Sequence, residues 1–271
     1  MVFEMKIGFI GLGNMATAMI GGILGKQLYS KADIIGSDKS QGAVEKAAQD
    51  FGIKTSTDNK STVEEADVIV LAVKPVFLPD VINEIKDAVI AKKEEKLIVS
   101  IVAGKSVGWI EECFGTRLRL IRCMPNTPAL VGEGCTCICL KDDTKKEDEA
   151  LVLNLMSSFG KANILPERLI DAFTGVAGSS PAYVFMFIEA MADAAVCAGI
   201  PRNQAYEFAA QSVLGSAKMV LETGKHPAEL KDMVCSPGGT TIEAVKVLEE
   251  KGFRAAVIDS IEACVNKSKN M

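Results

Sequence analysis

The stretch Lys6-Ile7-Gly8-Phe9-Ile10-Gly11-Leu12-Gly13-Asn14-Met15-Ala16 sets the architecture of the first half of this chain. Its first five residues predict a short buried strand, and an apolar helix covering residues 15–24 follows the glycines. Gly11 permits the tight turn, Gly13 lets a pyrophosphate approach the backbone, and Ala16 allows helix and strand to pack closely. A dinucleotide-binding loop is therefore predicted at Gly11, Leu12, Gly13, Asn14, Met15 and Ala16.

Beyond this unit, helical patterns alternate with short apolar runs, which is typical of an α/β fold with a parallel sheet. The predicted strands after the first are Ala32–Gly36, Val68–Val73, Leu97–Ile101, Leu118–Arg122 and Cys135–Leu140. The predicted helices between them are Gln41–Phe51, Leu78–Ile90 and Val107–Phe114, and the helix Lys145–Phe159 follows the last strand. Ligands bind at the carboxyl ends of such strands, so Ala72–Pro75, Val102–Gly104 and Met124–Thr127 are expected on the cofactor side.

The second predicted strand ends in Ser37-Asp38-Lys39, close to the expected position of the adenosine ribose. An acid at this position favours NADH, whereas small polar or basic residues admit the 2′-phosphate of NADPH. Ser37 and Lys39 suit a phosphate, but Asp38 favours NADH if its side chain turns inward. NADPH is the preferred expectation, and NADH stays open.

The pattern changes near Leu165-Pro166, after which only helices are predicted: Pro181–Ala198, Arg202–Glu222, Pro227–Met233, Pro237–Glu250 and Phe253–Asn266. The first of these is apolar on nearly every side and long enough to suggest a membrane span. Its two acids, its proline start and its many alanines favour a buried helix. Since so small a helical domain has few partners for it, a second subunit is expected to cover it. We predict a dinucleotide-binding domain over residues 1–164 and a helical dimerisation domain over 165–271.

A second glycine-rich stretch, Val234-Cys235-Ser236-Pro237-Gly238-Gly239-Thr240-Thr241, precedes a helical pattern. Ser236 is a good N-cap residue, and Pro237 suits the first helical position. The glycines would let a ligand approach free backbone N–H groups at a helix N-terminus, which makes a seat for a small anion such as a carboxylate. An ordinary capped helix explains the same residues.

Composition narrows the classes of function. A net charge of −5 argues against nucleic acid or an anionic membrane as the main partner. The eight cysteines form no CxxC pair, and the N-terminus is unlike a signal peptide, so a reduced, cytoplasmic protein is expected. Cys135, Cys137 and Cys139 alternate as one face of a strand, and no metal site is predicted. The single histidine, His226, argues against catalytic triads and paired-histidine metal centres, so a bound cofactor must supply the chemistry.

Five motifs carry a resemblance to a known family. They are Phe9–Ala16, Leu71-Ala72-Val73-Lys74-Pro75, Arg122-Cys123-Met124-Pro125-Asn126-Thr127-Pro128, Gly178-Ser179-Ser180-Pro181-Ala182-Tyr183 and Val234–Thr241. On these motifs the chain resembles the Δ1-pyrroline-5-carboxylate reductase family over its whole length. The resemblance implies NAD(P)H-dependent reduction of a small cyclic imine to L-proline, the last step of proline biosynthesis. It also implies a homodimer with interlocked helical domains, and dimers that often assemble into a decameric ring.

The resemblance also assigns residues. Together with the strand-end reasoning, it predicts cofactor contacts at Ser37, Lys39, Asn59, Ala72, Val73, Lys74, Pro75, Ala103, Met124 and Asn126. It places the substrate carboxylate and ring on Ser236, Gly238, Gly239, Thr240 and Thr241. Thr241, expected beside the ring nitrogen, is the predicted catalytic residue.

Two other functions share parts of this pattern. A β-hydroxyacid dehydrogenase has a similar glycine loop and helical domain, but it uses a lysine base on the first long interdomain helix. No lysine occurs between Pro181 and Ala198. A non-catalytic dinucleotide-binding module would not need the predicted carboxylate-binding stretch Ser-Pro-Gly-Gly-Thr-Thr. A protonated cyclic imine accepts hydride without a strong acid, so correct positioning of the nicotinamide supplies most of what the reaction needs.

Overall fold

The computed structural model describes residues 5–270; Met1–Glu4, part of the segment predicted to be unlike a signal peptide, and Met271 lie outside this range. The chain divides into two compact units. The first unit consists of the residues up to Ser179 together with those from Val265 onward. The second unit is Ser180–Cys264. Residues 165–179 belong to the first unit, because Ile170 packs with Cys137 and Cys139 in one apolar cluster. The predicted domain boundary between residues 164 and 165 stays a prediction.

The first unit is built on one eight-stranded sheet. Its strands are β1 (Ile7–Ile10), β2 (Ile34–Ser37), β3 (Lys54–Ser56), β4 (Val68–Leu71), β5 (Leu97–Ser100), β6 (Leu120–Met124), β7 (Gly134–Cys139) and β8 (Gly160–Ile164). The strand order is β3-β2-β1-β4-β5-β6-β7-β8, and β6 and β7 form the antiparallel pair while the other neighbours are parallel. The order reverses between β1 and β4, so a crevice opens beyond their carboxyl ends.

Helices cover both faces of this sheet. They are α1 (Asn14–Gly25), α2 (Gln41–Phe51), α3 (Asn59–Glu65), α4 (Leu78–Ala91), α5 (Val107–Phe114), α6 (Lys146–Ser157) and α7 (Ile170–Phe173). One apolar core contains residues of α1, α2 and α6, and the other contains residues of α4 and α5. Because helices lie on both sides, every residue of β1, β4 and β5 is buried. The predicted Rossmann-type domain is confirmed.

The second unit contains only helices: α8 (Ser180–Cys197), α9 (Arg202–Thr223), α10 (Pro227–Val234), α11 (Thr240–Glu250) and most of α12 (Phe253–Lys269). Its small core lies between α8 and α9, where Ala192, Ala205 and Ala209 are buried. Within the single chain Ala192 is the only buried residue of α8, so the burial of this helix, which the sequence attributes to a second subunit, stays a prediction. Too few helices surround α8 in one chain to cover its apolar sides.

Within the described part of the chain, one helical stretch has the length and composition of a membrane-spanning helix. The helical stretch Glu167–Cys197 is long and apolar enough to cross a membrane by length and composition. A helix buried in a subunit interface meets the same criteria, and this stretch contains Glu189 and Asp193 within α8.

Candidate functional site

The glycine loop between β1 and α1 lies against the ends of two other strands. Gly11 has φ +97°, and a Cβ there would lie 2.7 Å from the carbonyl oxygen of Ala72, which follows β4. The Gly11 N–H donates a hydrogen bond of 2.7 Å to the carbonyl of Ser37 at the end of β2. Only glycine satisfies both the left-handed conformation and this close approach.

Gly13, unlike Gly11, lies directly at the start of helix α1. It is the N-cap, no side chain caps the helix, and the first turn contains no acidic residue. A Cβ on Gly13 would have no heavy atom within 4 Å, so the space above it is open. The unpaired N–H groups at this helix start are therefore available to an anion such as a pyrophosphate.

A cavity of about 430 Å³ opens over this loop. It is lined by Ile10, Gly11, Gly13, Asp38, Lys39, Ser40, Asn59, Ala72, Val73, Lys74, Phe77, Asp80 and Val81. The structure thus brings together seven of the sixteen predicted cofactor residues in this lining: Gly11, Gly13, Lys39, Asn59, Ala72, Val73 and Lys74. Three further lining residues, Phe77, Asp80 and Val81, were not predicted from the sequence. They lie in the short turn and the helix that follow the Lys74-Pro75 motif, and no sequence motif marks them.

The end of β2 resolves the orientation of Asp38. One carboxylate oxygen accepts the Leu12 N–H at 2.8 Å, and the other accepts the Ser40 N–H at 2.8 Å. Asp38 therefore turns inward, toward the glycine loop, and both of its oxygens are engaged by backbone donors. Lys39 lines the cavity and has no hydrogen-bond or ion-pair partner within residues 5–270.

Ser37 and Asn59 form a buried polar chain behind this wall. The Ser37 hydroxyl donates to Asn59 Oδ1 at 2.8 Å, and Asn59 Nδ2 donates to Glu84 Oε2 at 3.0 Å. Ser37 and Asn59 are both buried, and Asn59, unlike Ser37, lines the cavity. The structure thus places Asn59 in the wall and Ser37 behind it.

The remaining predicted cofactor residues lie outside the lining of this cavity. Asn126 is buried; its Oδ1 accepts the Cys135 N–H and its Nδ2 donates to the Ala177 carbonyl, both at 2.8 Å. Its amide therefore ties three segments of the first unit together. Leu12 and Ala16 are buried in the core beside the loop, and Met124 packs on the cluster around Ile170. The other residues outside the lining are Asn14, Met15, Pro75 and Ala103.

In the second unit, the predicted helix start at Ser236 and Pro237 is wrong. Helix α11 begins at Thr240 with Gly239 as its N-cap. Gly238 has φ +66°, a left-handed conformation that cannot continue a helix, and the Gly239 N–H donates to the Ser236 carbonyl at 3.0 Å. Pro237 followed by a left-handed Gly238 is the arrangement of a type II turn, which places the turn before the helix.

This turn still leaves backbone donors exposed at a helix start. No side chain caps α11, and Thr240 is exposed while Thr241 is half-buried. A Cβ on Gly239 would lie 2.7 Å from the Ser236 hydroxyl, so that side chain covers Gly239, whereas the space at Gly238 is open. The arrangement can bind a carboxylate through N–H groups of the first turn.

The histidine and the clustered cysteines have structural roles in this chain. His226 caps α10, where its Nδ1 accepts the Ala228 N–H at 3.2 Å. Burial raises the pKa of Cys123 well above its usual value, so this thiol stays neutral. The Sγ atoms of Cys137 and Cys139 on β7 lie 3.8 Å apart. The hydrogen bond between these thiols lowers the pKa of Cys137 and raises the pKa of Cys139. No group of three or more metal-ligating side chains occurs within residues 5–270.

Comparison with known proteins covers the whole chain. Residues 167–271 match the family model for pyrroline-5-carboxylate reductase dimerisation, and residues 6–104 match that for coenzyme F420-dependent NADP oxidoreductase. The chain is 50% identical over 268 residues to the pyrroline-5-carboxylate reductase of Escherichia coli K12, covering 99% of this chain and 98% of the relative. It is 42% identical to that of Methanosarcina acetivorans, covering 98% and 97% of the two chains.

Solved structures give the same result. The Plasmodium falciparum pyrroline carboxylate reductase, solved with NADP bound, is 32% identical with a TM-score of 0.89 and covers 100% of this chain and 99% of its own. The Coxiella burnetii reductase is 33% identical with a TM-score of 0.91, covering 99% and 98%. With a dinucleotide cavity in its first unit and these relatives along its full length, the chain belongs to the pyrroline-5-carboxylate reductase family of oxidoreductases.

Proposed function

We propose that this chain reduces Δ1-pyrroline-5-carboxylate to L-proline, the last step of proline biosynthesis, with NADPH as the preferred cofactor. The observation that carries the proposal is the helix start at Gly13, which opens on the cavity without a capping side chain and without an acid in the first turn of α1. In a chain of this family, that start is suited to the pyrophosphate of a dinucleotide.

This reaction needs no strong acid or base from the protein side chains. When bound, the reduced dinucleotide supplies the hydride that adds to the carbon of the protonated C=N bond, whose nitrogen keeps its proton as the amine forms. The backbone of the Ser236–Gly239 turn and the start of α11 hold the substrate carboxylate. The Thr241 hydroxyl, at the same helix start, hydrogen-bonds the ring nitrogen and fixes the orientation of the ring.

The preference for NADPH rests on the end of β2. Asp38 turns inward, the orientation that taken alone favours NADH, but its two oxygens already accept the N–H groups of Leu12 and Ser40. Lys39 lines the cavity beside it and carries the positive charge that a 2′-phosphate needs. Asn59 completes this side of the site. NADH, which lacks the phosphate, binds the same site more weakly.

Assembly is part of the proposal. Phe185 and Met186 of α8 are 64% and 68% exposed in the single chain, and the family model matched over residues 167–271 is a dimerisation model. A second copy is the partner that covers these side chains, and dimers assemble into a decameric ring. We place the protein in the cytoplasm, where its cysteine thiols stay reduced.

The test is a turnover assay with the purified chain. NADPH absorbance is followed with and without pyrroline-5-carboxylate, and proline is measured as the product. We expect NADPH consumption only with the imine, matched by proline formation. NADPH that binds but is not consumed would indicate a non-catalytic dinucleotide-binding module instead. Repeating the assay with NADH measures the cofactor preference.

A further inference from the structure

The polar chain behind the cofactor cavity ends on a carboxylate of a different helix. Asn59 is the first residue of α3, and Glu84 belongs to α4. Asn59 Nδ2 donates to Glu84 Oε2 at 3.0 Å, and Asn59 Oδ1 accepts the Ser37 hydroxyl at 2.8 Å. Asn59 is 2% exposed, and Glu84 is half-buried. Both ends of this buried amide are therefore held by side chains, one from β2 and one from α4.

Glu84, and not Ser37, fixes which way the amide of Asn59 points. A hydroxyl can donate or accept, and Ser37 Oγ also lies 3.5 Å from the Phe9 carbonyl oxygen. If the amide turned over, Ser37 would donate to Phe9 and accept from Nδ2. A carboxylate can only accept, so the turned amide would place its oxygen against Glu84. The direction of the whole chain of hydrogen bonds therefore follows from Glu84.

This direction determines what Asn59 offers to a ligand. Asn59 lines the cavity together with Lys39 and Ser40, which follow β2. Its Nδ2 carries a second hydrogen, and no acceptor for it lies in the described part of the chain. With the amide turned over, Oδ1 would take the place of Nδ2. A phosphate oxygen accepts hydrogen bonds and repels an amide oxygen, so the observed direction suits an anionic ligand group.

We propose that Glu84 is a positioning residue for the cofactor and acts through Asn59. Its carboxylate holds the Asn59 amide so that the second N–H of Nδ2 donates to the 2′-phosphate of NADPH, beside the charge of Lys39. Glu84 lies outside the cavity lining, so it favours NADPH over NADH without contacting either. The inference rests on the proposed NADPH preference and not on the identity of the substrate.

The negative charge of Glu84 acts in the opposite sense. A carboxylate near a phosphate repels it, whereas the hydrogen bond to Asn59 favours its binding. Truncation of Glu84 would mix the two effects. Glutamine and methionine separate them, because both are uncharged and similar in length to glutamate, and only the glutamine oxygen is a strong acceptor for Nδ2.

The test therefore compares Glu84→Gln with Glu84→Met. Fluorescence titration gives the Kd of each variant for NADPH and for NADH, and the ratio of the two values reports on the 2′-phosphate. We expect Glu84→Gln to keep the NADPH preference and Glu84→Met to have a preference about fivefold lower, the range of one hydrogen bond. The Kd for NADH should be the same in both. Asp87→Met removes an exposed acid of the same helix outside the cavity lining, and this control should keep the wild-type ratio.

A second comparison tests whether the effect passes through Asn59. In an Asn59→Ala background, Glu84→Gln and Glu84→Met should give the same ratio, because the amide that they position is gone. A purely structural contact between α3 and α4 would weaken the binding of both cofactors alike and leave the ratio unchanged. Where circular dichroism shows that this background is unfolded, the comparison of the two single variants decides.

Equal ratios in Glu84→Gln and Glu84→Met would overturn the proposal, and so would a difference that persists in the Asn59→Ala background. A wild-type chain without a preference for NADPH would overturn both this inference and the proposed cofactor preference. All titrations are made without substrate, so a failure of imine reduction would leave them interpretable.

Discussion

Two helices of this chain begin in nearly the same way. Gly13 caps α1 with φ −75° and ψ −176°, and Gly239 caps α11 with φ −80° and ψ 171°, and neither helix start has a side-chain cap. A left-handed glycine precedes each cap, namely Gly11 and Gly238. Both starts are suited to an anion, yet their surroundings differ.

Helix α1 buries five of its residues in the core of the first unit, whereas α11 has no buried residue in the single chain. The first helix start is therefore held by its own unit, and every residue that lines its cavity belongs to that unit. The second is mounted on a helical unit whose large apolar side chains are exposed. We therefore predict that cofactor binding needs only the first unit, whereas catalysis also needs the second unit, whose exposed side chains we propose that a second copy covers.

The largest expected effect tests the first helix start. Gly13→Val should abolish NADPH binding, because the added side chain enters the open space that the pyrophosphate needs. The fold should survive, since a Cβ at Gly13 meets no heavy atom within 4 Å. Fluorescence titration measures binding and thermal melting measures stability. A variant that binds NADPH normally would show that α1 does not hold the cofactor.

The next effect tests the dependence on a partner. Phe185→Glu places a charge on the most apolar helix of the second unit and should convert the dimer to a monomer in light scattering. Val76→Glu is the control, because Val76 is 72% exposed but belongs to the first unit, and it should leave the dimer intact. A dimeric Phe185→Glu chain would place the interface elsewhere.

The third effect concerns chemistry at α11. Thr241→Val should lower kcat/KM by about ten- to a thousandfold through the loss of one hydrogen bond to the ring nitrogen, with NADPH affinity unchanged. Thr240→Val is the matched control, since adjacent helical positions face different ways. If Thr240→Val loses activity while Thr241→Val keeps it, the role belongs to Thr240. Full activity in both would leave substrate binding to the backbone alone.

The smallest effect concerns the end of β2. Lys39→Ala should weaken NADPH binding about three- to tenfold, the range of one partly exposed charge pair, and should leave NADH binding unchanged. Lys60→Ala, an exposed lysine of α3 outside the cavity lining, is the control. Equal losses for both cofactors in Lys39→Ala would mean that Lys39 does not contact the 2′-phosphate.

Some elements could be predicted from the sequence and others could not. The buried strands were found because runs such as Val68–Leu71 are apolar throughout. The pattern did not indicate β3, β8 or α3, since Lys54–Ser56 and Gly160–Ile164 are polar, partly exposed strands and Asn59–Glu65 is a short polar helix. Such elements are stabilised by pairing and packing with distant segments, which local periodicity does not record.

Local chemistry was sufficient for the parts of the site that lie in one stretch. The strand, the glycine loop and the helix that follows it are adjacent in the sequence, so residues 6–24 alone specify a dinucleotide-binding unit. The positive φ of Gly11 follows from the same short stretch. The all-helical second half was likewise visible in its periodicity.

Contacts between distant segments determined the rest. Asp38 turns inward because the Leu12 N–H, 26 positions earlier, donates a hydrogen bond to its carboxylate, and the Ser37 hydroxyl is directed to Asn59 by the hydrogen bond that it donates. Phe77 and Asp80 reach the cavity only because β4 lies beside β1 in the sheet. Ser236 precedes a turn rather than capping a helix because Gly238 is left-handed. The reason is common to all of these: a side chain's partners depend on which segments the fold brings together, and neighbouring residues alone do not specify them.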